Sequence, residues 1–351
     1  MGALIAATWS MPADTLSSIE AGLHPRLDYL DLAERLSAEW VDYDSAAEHP
    51  LLRYVEDRLR VDLRLAGEVA GRVRRKGHDK VVSLSERVGI PLASALGRRV
   101  KQTVILHHPM SRLKLDLLRY SGLHRAWDLM LCLSRAEADA FRCALHAGQD
   151  EVQVLNTPVD VEFYRPDAPK NSACDEAPHI LSLGLSYRDY PTLIRAMRHL
   201  PEANCQIRAG SSWVCGQSGF EREQLPANVT THPFAPPSDL RGIFQRCRFV
   251  VIPLQSGTQW SAGCTSVQIA QAMGKAVIAT HLPGLEDYVA HEKTGLLVPA
   301  GDPAAMTTAI ERLWRNPEEA DEMGRRGRRW IETEFTLDQW LDRLVALVEA
   351  H

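Results

Sequence analysis

The chain has 351 residues, of which 45% are hydrophobic and 24% charged, an ordinary globular composition that argues against disorder. This length exceeds one typical core and favours two domains of about 150–180 residues each. The net charge of −5 disfavours a general attraction to nucleic acid, and no apolar run approaches the ~20 residues of a membrane span. The apolar N-terminal stretch lacks a basic leader and predicts a buried strand rather than a signal peptide.

Positive charge is concentrated in one part of this acidic chain. Residues 57–125 contain 16 Lys or Arg residues against 6 Asp or Glu residues. This distribution suits an anionic small molecule or an anionic membrane surface, but a solvated, arginine-rich helix face is the simpler interpretation. The seven cysteines form no CxxC pair, which favours a reducing cytoplasm. His107 and His108 are adjacent, but no third ligand recurs at metal spacing, so no metal site is predicted.

Short apolar runs alternate with helical patterns along the whole chain. The predicted strands are, in chain order, Leu4–Thr8, Val81–Leu84, Thr103–Leu106, Leu129–Leu133, Val152–Leu155, Ile180–Leu183, Cys205–Arg208, Phe249–Ile252, Ala276–Ala279 and Leu296–Val298. Several of these runs are continuously apolar, which is typical of strands covered on both faces by helices. The repeated strand-then-helix order therefore predicts doubly wound, parallel α/β domains.

Local signals place three helix starts and one linker. Asp189 with Pro191, and Asp302 with Pro303, have the pattern of an N-cap followed by a proline in the first turn. The sequence Thr336-Leu-Asp-Gln339 fits a capping box at the start of the last helix. The proline-containing stretch Asn156–Asn171 is predicted to connect the two domains.

Several common catalytic motifs are absent from the sequence. There is no P-loop, no GxGxxG after the first strand, no GxSxG and no HExxH. Kinase, dehydrogenase and hydrolase functions are therefore disfavoured.

The most informative segment runs from Pro253 to Val298. It includes a loop, Gln255–Ser266, between the strand Phe249–Ile252 and a helix predicted to begin near Thr265. Glycine beside small hydroxyl residues at a helix start exposes backbone N–H groups, and the helix dipole adds partial positive charge there. In an open α/β sheet this end lies at the carboxyl edge, where ligands bind. The pattern predicts a phosphate site, although Ser and Thr also serve as ordinary helix caps.

Four stretches in this order and spacing resemble the retaining, nucleotide-sugar-dependent glycosyltransferases of family 4, the glycogen-synthase-like group with the GT-B fold. They are Asn156–Pro166, Leu181–Met197, Gly263–Thr280 and Gly284–Pro303. The resemblance covers residues 150–351 well and residues 1–150 only by strand order. It implies two Rossmann-like domains with a cleft between them: an acceptor-binding domain over residues 1–160, to which the last helix, 336–351, crosses back, and a nucleotide-sugar-binding domain over 161–335.

The resemblance also implies a donor site in the C-terminal domain. Arg188 lies near the family's basic residue that neutralises the diphosphate leaving group, a role that suits a fixed cation and helix N–H groups. Such a cation can replace a metal, so no cofactor is expected besides the nucleoside-diphosphate sugar itself. The implied donor contacts are Gly184, Arg188, Gly263, Cys264, Thr265, Ser266 and Gln268.

The chain departs from the family at its pair of glutamates spaced E-x7-E. Ser261 and Ile269 occupy these two places, and the second glutamate normally binds the nucleotide ribose. An isoleucine accepts no hydrogen bond, so Gln268 is the nearest replacement. This departure motivates the alternative of a non-catalytic sugar-nucleotide-binding or scaffold protein.

In the N-terminal domain the resemblance implies that His107 or His108, after the strand Thr103–Leu106, lies beside the transferred sugar. Glu86 also follows a strand, either as an acceptor ligand or, more simply, as an exposed carboxylate at a helix start. The segment Met110–Arg125 mixes basic and apolar positions. It suits either an ordinary helix under a cleft, which we favour, or peripheral contact with an anionic bilayer.

The sequence thus predicts a cytoplasmic glycosyltransferase, with a peripheral location at the inner membrane face as an alternative. It moves a sugar to a hydroxyl of a small-molecule, glycan or lipid acceptor, with retention implied by the resemblance. Nucleic acid is not an expected partner. A sugar-nucleotide epimerase of the same architecture is a further alternative, but no convincing set of carboxylates for elimination chemistry is present.

Overall fold

The computed structural model describes residues 2–108, 111–167, 178–210, 224–257 and 259–351, which form two compact units. The first unit comprises Met1–Ser17, Arg26–Asn156 and Asp338–His351, and the second comprises Ser18–Pro25 and Thr157–Leu337. Residues 168–171 of the predicted linker, Thr258 of the predicted phosphate loop and Met110 of the predicted basic segment lie outside the described residues.

The first unit contains a six-stranded parallel sheet in the order β2-β1-β3-β4-β5-β6. Its strands are β1 (Ala3–Ala6), β2 (Glu39–Val41), β3 (Lys80–Ser83), β4 (Lys101–Leu106), β5 (Leu129–Cys132) and β6 (Val152–Val154). The helices that accompany them in the chain are α1 (Thr15–Glu20), α2 (Asp28–Arg35), α3 (Pro50–Leu59), α4 (Leu63–Lys76), α5 (Glu86–Leu96), α6 (Arg112–Ser121) and α7 (Arg135–Leu145).

The second unit contains another six-stranded parallel sheet, in the order β12-β11-β10-β7-β8-β9. Its strands are β7 (His179–Leu183), β8 (Cys205–Arg208), β9 (Val229–His232), β10 (Cys247–Ile252), β11 (Val277–Thr280) and β12 (Gly295–Val298). The helices are α8 (Tyr190–Met197), α9 (Pro237–Arg246), α10 (Cys264–Ala272), α11 (Pro303–Arg315) and α12 (Pro317–Glu334), and α13 (Leu337–Ala350) returns the chain to the first unit.

The predicted doubly wound α/β class is confirmed by these two sheets. Every strand predicted from the sequence overlaps an observed strand. The two strands that the prediction missed, β2 and β9, both lie at sheet edges. An edge strand is covered less completely, so β9, with the sequence Val-Thr-Thr-His and two exposed threonines, lacks the apolar run that marks the interior strands.

The predicted helix starts at Asp189 and Asp302 are also confirmed. The Asp189 carboxylate accepts a hydrogen bond from the Thr192 N–H at 3.2 Å, and the Asp302 carboxylate accepts one from the Ala305 N–H at 2.9 Å. Each aspartate satisfies an amide that the first helical turn cannot pair, and a proline follows in the first turn of each helix. Local capping chemistry therefore fixes where α8 and α11 begin.

Helix α5 packs on the first sheet through a glycine. A Cβ atom added to Gly89 would lie 2.7 Å from Cγ2 of Val104 on β4. The Trp127 indole N–H donates to the Gly89 carbonyl at 3.2 Å, which holds the helix at this close approach. Gly67, inside α4 of the same unit, has no atom within 4 Å of the corresponding position.

We expect these two helical glycines to respond oppositely to alanine. Gly89→Ala should lower the free energy of unfolding of the first unit by about 1–3 kcal/mol because the added methyl group overpacks against Val104. Gly67→Ala should raise it by about 0.5–1 kcal/mol because alanine loses less backbone entropy in a helix. Urea denaturation followed by circular dichroism checks both, and equal effects of the two variants would contradict the packing argument.

Candidate functional site

Two loops lie at the carboxyl edge of the second sheet and are joined to each other by backbone hydrogen bonds. Strand β7 ends at Leu183, and the chain then turns at Gly184, whose φ of +104° is unfavourable for residues with a side chain. The loop after Gly184 is tied to the exit of β10, because the Asp189 N–H donates to the Pro253 carbonyl and the Gln255 N–H donates to the Tyr187 carbonyl. These bonds fix the intervening residue, Arg188, over the end of the sheet.

The Arg188 guanidinium is buried and held by three oxygen atoms. Its Nε donates to the Leu183 carbonyl at 2.8 Å, its Nη1 to the Ser186 carbonyl at 3.0 Å and its Nη2 to Ser266 Oγ at 2.9 Å. The side chain passes directly over Gly184, where an added Cβ would lie 2.7 Å from the guanidinium carbon. Gly184 is therefore required both for its backbone conformation and for the space that Arg188 occupies.

The charge of Arg188 has no acidic partner among the residues that the structure describes. Arg188 is 6% exposed, and burial lowers the pKa of its guanidinium below the usual range. An arginine nevertheless remains protonated, so the second unit holds a cation away from water. Because a buried, uncompensated charge is costly, this geometry favours binding of an anion.

The N-terminus of α10 adds a second source of positive potential at the same place. Gly263, with a φ of +80°, precedes the helix, and no side chain in the described part of the chain caps it. The Cys264 N–H donates to the Ser261 carbonyl, whereas the amides of Thr265 and Ser266 lie in the first turn, whose N–H groups have no intrahelical acceptor. Ser266 also accepts the hydrogen bond from Arg188, so guanidinium and helix N-terminus are adjacent. This combination is suited to a phosphate or diphosphate.

The predicted donor residues divide into two groups. Gly184, Arg188 and Ser266 are brought together, with Gly263 and the exposed Thr265 on the same turn. The side chains of Cys264 and Gln268 are instead directed towards Thr157, since Cys264 Sγ lies 3.3 Å from Thr157 Oγ1 and the Gln268 amide donates to the Thr157 carbonyl.

Neither of the two positions where the family has a glutamate carries an acidic side chain. Ser261 is buried, and Ile269 is half-buried against the hydrophobic core of the second unit. Gln268 is also buried, at 1% exposure; its Nε2 donates to the Thr157 carbonyl, whereas its Oε1 has no hydrogen-bond partner in the described residues. A ribose contact by Gln268 remains a prediction, and Oε1 is the atom that would accept the ribose hydroxyl.

Tyr187 is a candidate ligand contact that the sequence analysis missed. Its φ of +57° is rare for an aromatic residue, and its side chain is 42% exposed beside Arg188. The conformation follows from the two loops, since Arg188 pairs with Leu254 across an isolated antiparallel bridge. No sequence motif marks such a residue, because the strain arises from pairing between distant segments.

At the carboxyl edge of the first sheet, His107 and His108 directly follow β4. The His107 N–H donates to Glu86 Oε2 at 2.9 Å, and its Nε2 lies 2.9 Å from the Leu84 carbonyl, which requires a proton on that nitrogen. Burial lowers the pKa of His108, so a neutral imidazole is favoured there at pH 7. Their predicted role beside a sugar remains a prediction.

Glu86 is a structural carboxylate rather than the exposed one that the sequence favoured. It is 2% exposed and accepts hydrogen bonds from Lys114 Nζ at 2.6 Å and from the His107 N–H. Burial raises the pKa of Glu86, but Lys114 and His107 outweigh that effect and lower it to about 2. The Glu86 charge is thereby paired with groups of the first unit and is not available to bind an acceptor.

Within the described ranges, no group of three or more His, Cys, Asp or Glu side chains is arranged to hold a metal ion. In the same ranges, no helix has both the length and the apolar character that a membrane span requires.

Comparison with known proteins shows what this chain is similar to. Residues 176–330, which lie in the second unit, match the family model described as Glycosyl transferases group 1. The fold is GT-B: sucrose-phosphate synthase from Thermosynechococcus elongatus superposes with a TM-score of 0.76 at 18% identity, covering 99% of this chain and 98% of that chain. HepE from Anabaena, solved in complex with UDP-glucose, superposes with a TM-score of 0.75 at 16% identity and covers 99% of each chain.

Among curated proteins, the chain is similar to a D-inositol 3-phosphate glycosyltransferase from Segniliparus rotundus. The two are 24% identical over 269 residues, which is 70% of this chain. The matched region spans 58% of the length of that relative.

The buried ion pair of the first unit yields a stability prediction. Lys114→Met should lower the free energy of unfolding at pH 7 by about 3–5 kcal/mol because it leaves the Glu86 charge buried without a partner. The double variant Lys114→Met/Glu86→Gln should recover a large part of this loss, and urea denaturation measures both. Because the pKa of Glu86 is depressed, the pair stabilises the fold above pH 4.5, and this contribution disappears as the pH falls towards 2.

The loss caused by Lys114→Met should accordingly shrink over that acidic interval. A cost below about 1 kcal/mol at pH 7, the range of exposed ion pairs, would show instead that Glu86 is solvated.

Proposed function

We propose that the chain is a glycosyltransferase that moves a sugar from a nucleoside-diphosphate sugar to an acceptor hydroxyl, with retention of configuration. The observation that carries the proposal is the buried Arg188 cation, which has no acidic partner in the described residues and is bonded to Ser266 at the uncapped start of α10. HepE, which has the same fold, is solved with UDP-glucose, so UDP-glucose is the first donor to test.

The chemistry of the proposed reaction explains why a fixed cation is needed. As the bond between the sugar C1 and the diphosphate oxygen breaks, negative charge accumulates on the leaving diphosphate. Arg188 and the N–H groups of Thr265 and Ser266 stabilise that charge more strongly as it develops, which lowers the barrier. The acceptor oxygen bonds to C1 from the face that the diphosphate leaves, and its proton passes to a diphosphate oxygen.

Two further parts of the proposal concern the acceptor and the cell compartment. The first unit binds the acceptor at its own carboxyl edge, where the neutral imidazole of His108 serves as a hydrogen-bonding group for a hydroxyl. D-inositol 3-phosphate, named for the Segniliparus relative, is the first acceptor to test. The described cysteines, Cys132, Cys143, Cys205, Cys247 and Cys264, are all free thiols, which supports a reducing cytoplasm.

We expect removal of the Arg188 guanidinium to weaken donor binding. Arg188→Ala should reduce the affinity for UDP by about 1.5–3 kcal/mol, the contribution of a hydrogen bond to a charged group. Arg188→Lys should recover only part of the affinity because an ammonium group cannot form the same fork of hydrogen bonds. Isothermal titration calorimetry with UDP measures both variants.

The matched control for these variants is Arg195→Ala, which removes an exposed arginine from α8 of the same unit and should leave UDP affinity unchanged. Equal affinities of wild type and Arg188→Ala, with unfolding curves showing that both are folded, would remove Arg188 from the donor site.

Turnover separates the proposed enzyme from a non-catalytic binding protein. We expect wild type to release UDP from UDP-sugars in the presence of acceptor, and to do so after treatment with EDTA, because Arg188 supplies positive charge beside the diphosphate. A coupled assay for released UDP over a panel of sugars and acceptors measures this. Donor binding without turnover on any acceptor would favour the scaffold alternative, which Ser261 and Ile269 motivate.

A further inference from the structure

Helix α6 of the first unit carries apolar side chains on two opposite faces. One face is directed inward, with Leu118 at 2% exposure and Leu115 packed against the core. The other face, which we call the outer stripe, consists of Leu113, Leu117 and Tyr120, which are 68%, 44% and 83% exposed. At 3.6 residues per turn, these three side chains fall within about 60° of the helix circumference. They form one continuous apolar strip rather than scattered exposed residues.

The rotation of α6 about its axis is fixed by contacts on its inner side. Lys114 forms the ion pair with the buried Glu86, and Leu118 is packed beside it in the helix. A rotation that buried the outer stripe would remove Lys114 from Glu86 and leave that carboxylate uncompensated, at a high energetic cost. The stripe is therefore held in contact with solvent by the same interaction that fixes the helix on the sheet.

The charges around the outer stripe indicate what covers it. Arg112, Arg119 and Arg125 are exposed in and just after α6, against the single exposed carboxylate Asp116. Two copies of this chain docked through the stripe would bring these like charges together. A helix with an apolar strip, an aromatic residue and flanking arginines has the character of a helix that lies in the interface of an anionic bilayer.

We propose that the outer stripe of α6 docks the protein on an anionic lipid surface, with Leu113, Leu117 and Tyr120 entering the headgroup region and the arginines contacting lipid phosphates. This places the carboxyl edge of the first sheet near the bilayer, since α6 follows β4 at that edge. The proposal concerns binding alone and is independent of the transferase activity proposed above.

Flotation with lipid vesicles tests the proposal. Wild type should bind vesicles of phosphatidylcholine containing about 30% phosphatidylglycerol at least tenfold more strongly than vesicles of phosphatidylcholine alone, and high salt should weaken that binding. The variant L113S/L117S/Y120S should lose at least about tenfold in vesicle binding because it removes the apolar side chains that enter the bilayer. Its urea unfolding curve should match that of wild type, which would show that the first unit is still folded.

The chain offers a control matched in composition. The variant L51S/Y54S/L59S removes two leucines and one tyrosine that are also exposed, but on α3. It should bind vesicles as wild type does. Absence of wild-type binding to anionic vesicles, or equal losses in the two triple variants, would overturn the proposal. So would a wild-type dimer in light scattering that L113S/L117S/Y120S converts to monomer, because the stripe would then be a contact between copies.

Discussion

The interaction on which the candidate donor site depends is the bonding of a buried guanidinium to the end of a parallel sheet by neutral oxygens. Arg188 is held by two carbonyl groups and by Ser266, none of which cancels its charge. The surrounding sequence accommodates this arrangement: Gly184 leaves room for the guanidinium, and the loop after β10 anchors the residues on either side of Arg188. Burying a cation without a counter-ion costs free energy, and binding of an anion offsets that cost. A positive charge held in place in advance also stabilises negative charge that develops during a reaction.

The two units differ in how they hold a buried charge at the carboxyl edge of their sheets. At the carboxyl edge of the first sheet, the buried Glu86 is neutralised by Lys114 and by the His107 N–H. At the carboxyl edge of the second sheet, the buried cation is left without a counter-ion in the described residues. The buried cation of the second unit supports the proposed anionic donor, and the neutral imidazole favoured at His108 supports the proposed contact with an acceptor hydroxyl.

The sequence predicts those features of this structure that arise locally. Interior strands were found because strands covered on both faces are continuously apolar, and α8 and α11 were placed because Asp189 and Asp302 cap the turn that follows them. The edge strand β9 was missed because its threonines are exposed. The donor site was predicted as a set of residues, but the inward orientation of Cys264 and Gln268 depends on the packing of the distant Thr157, and the left-handed conformation of Tyr187 depends on the loop after β10.

Helix α6 shows why the periodicity of apolar residues alone does not decide which face of a helix packs against the core. Its sequence contains apolar residues at helical spacing on two sides, and either side is suited to face a core. The residue that decides between them is Lys114, because its partner Glu86 at the start of α5 is buried, and the sequence does not reveal that burial. Once that pair forms, Leu118 is directed inward and Leu113, Leu117 and Tyr120 are directed to solvent. A single buried ion pair thus determines which of the two apolar faces of α6 packs against the core and which stays exposed to solvent.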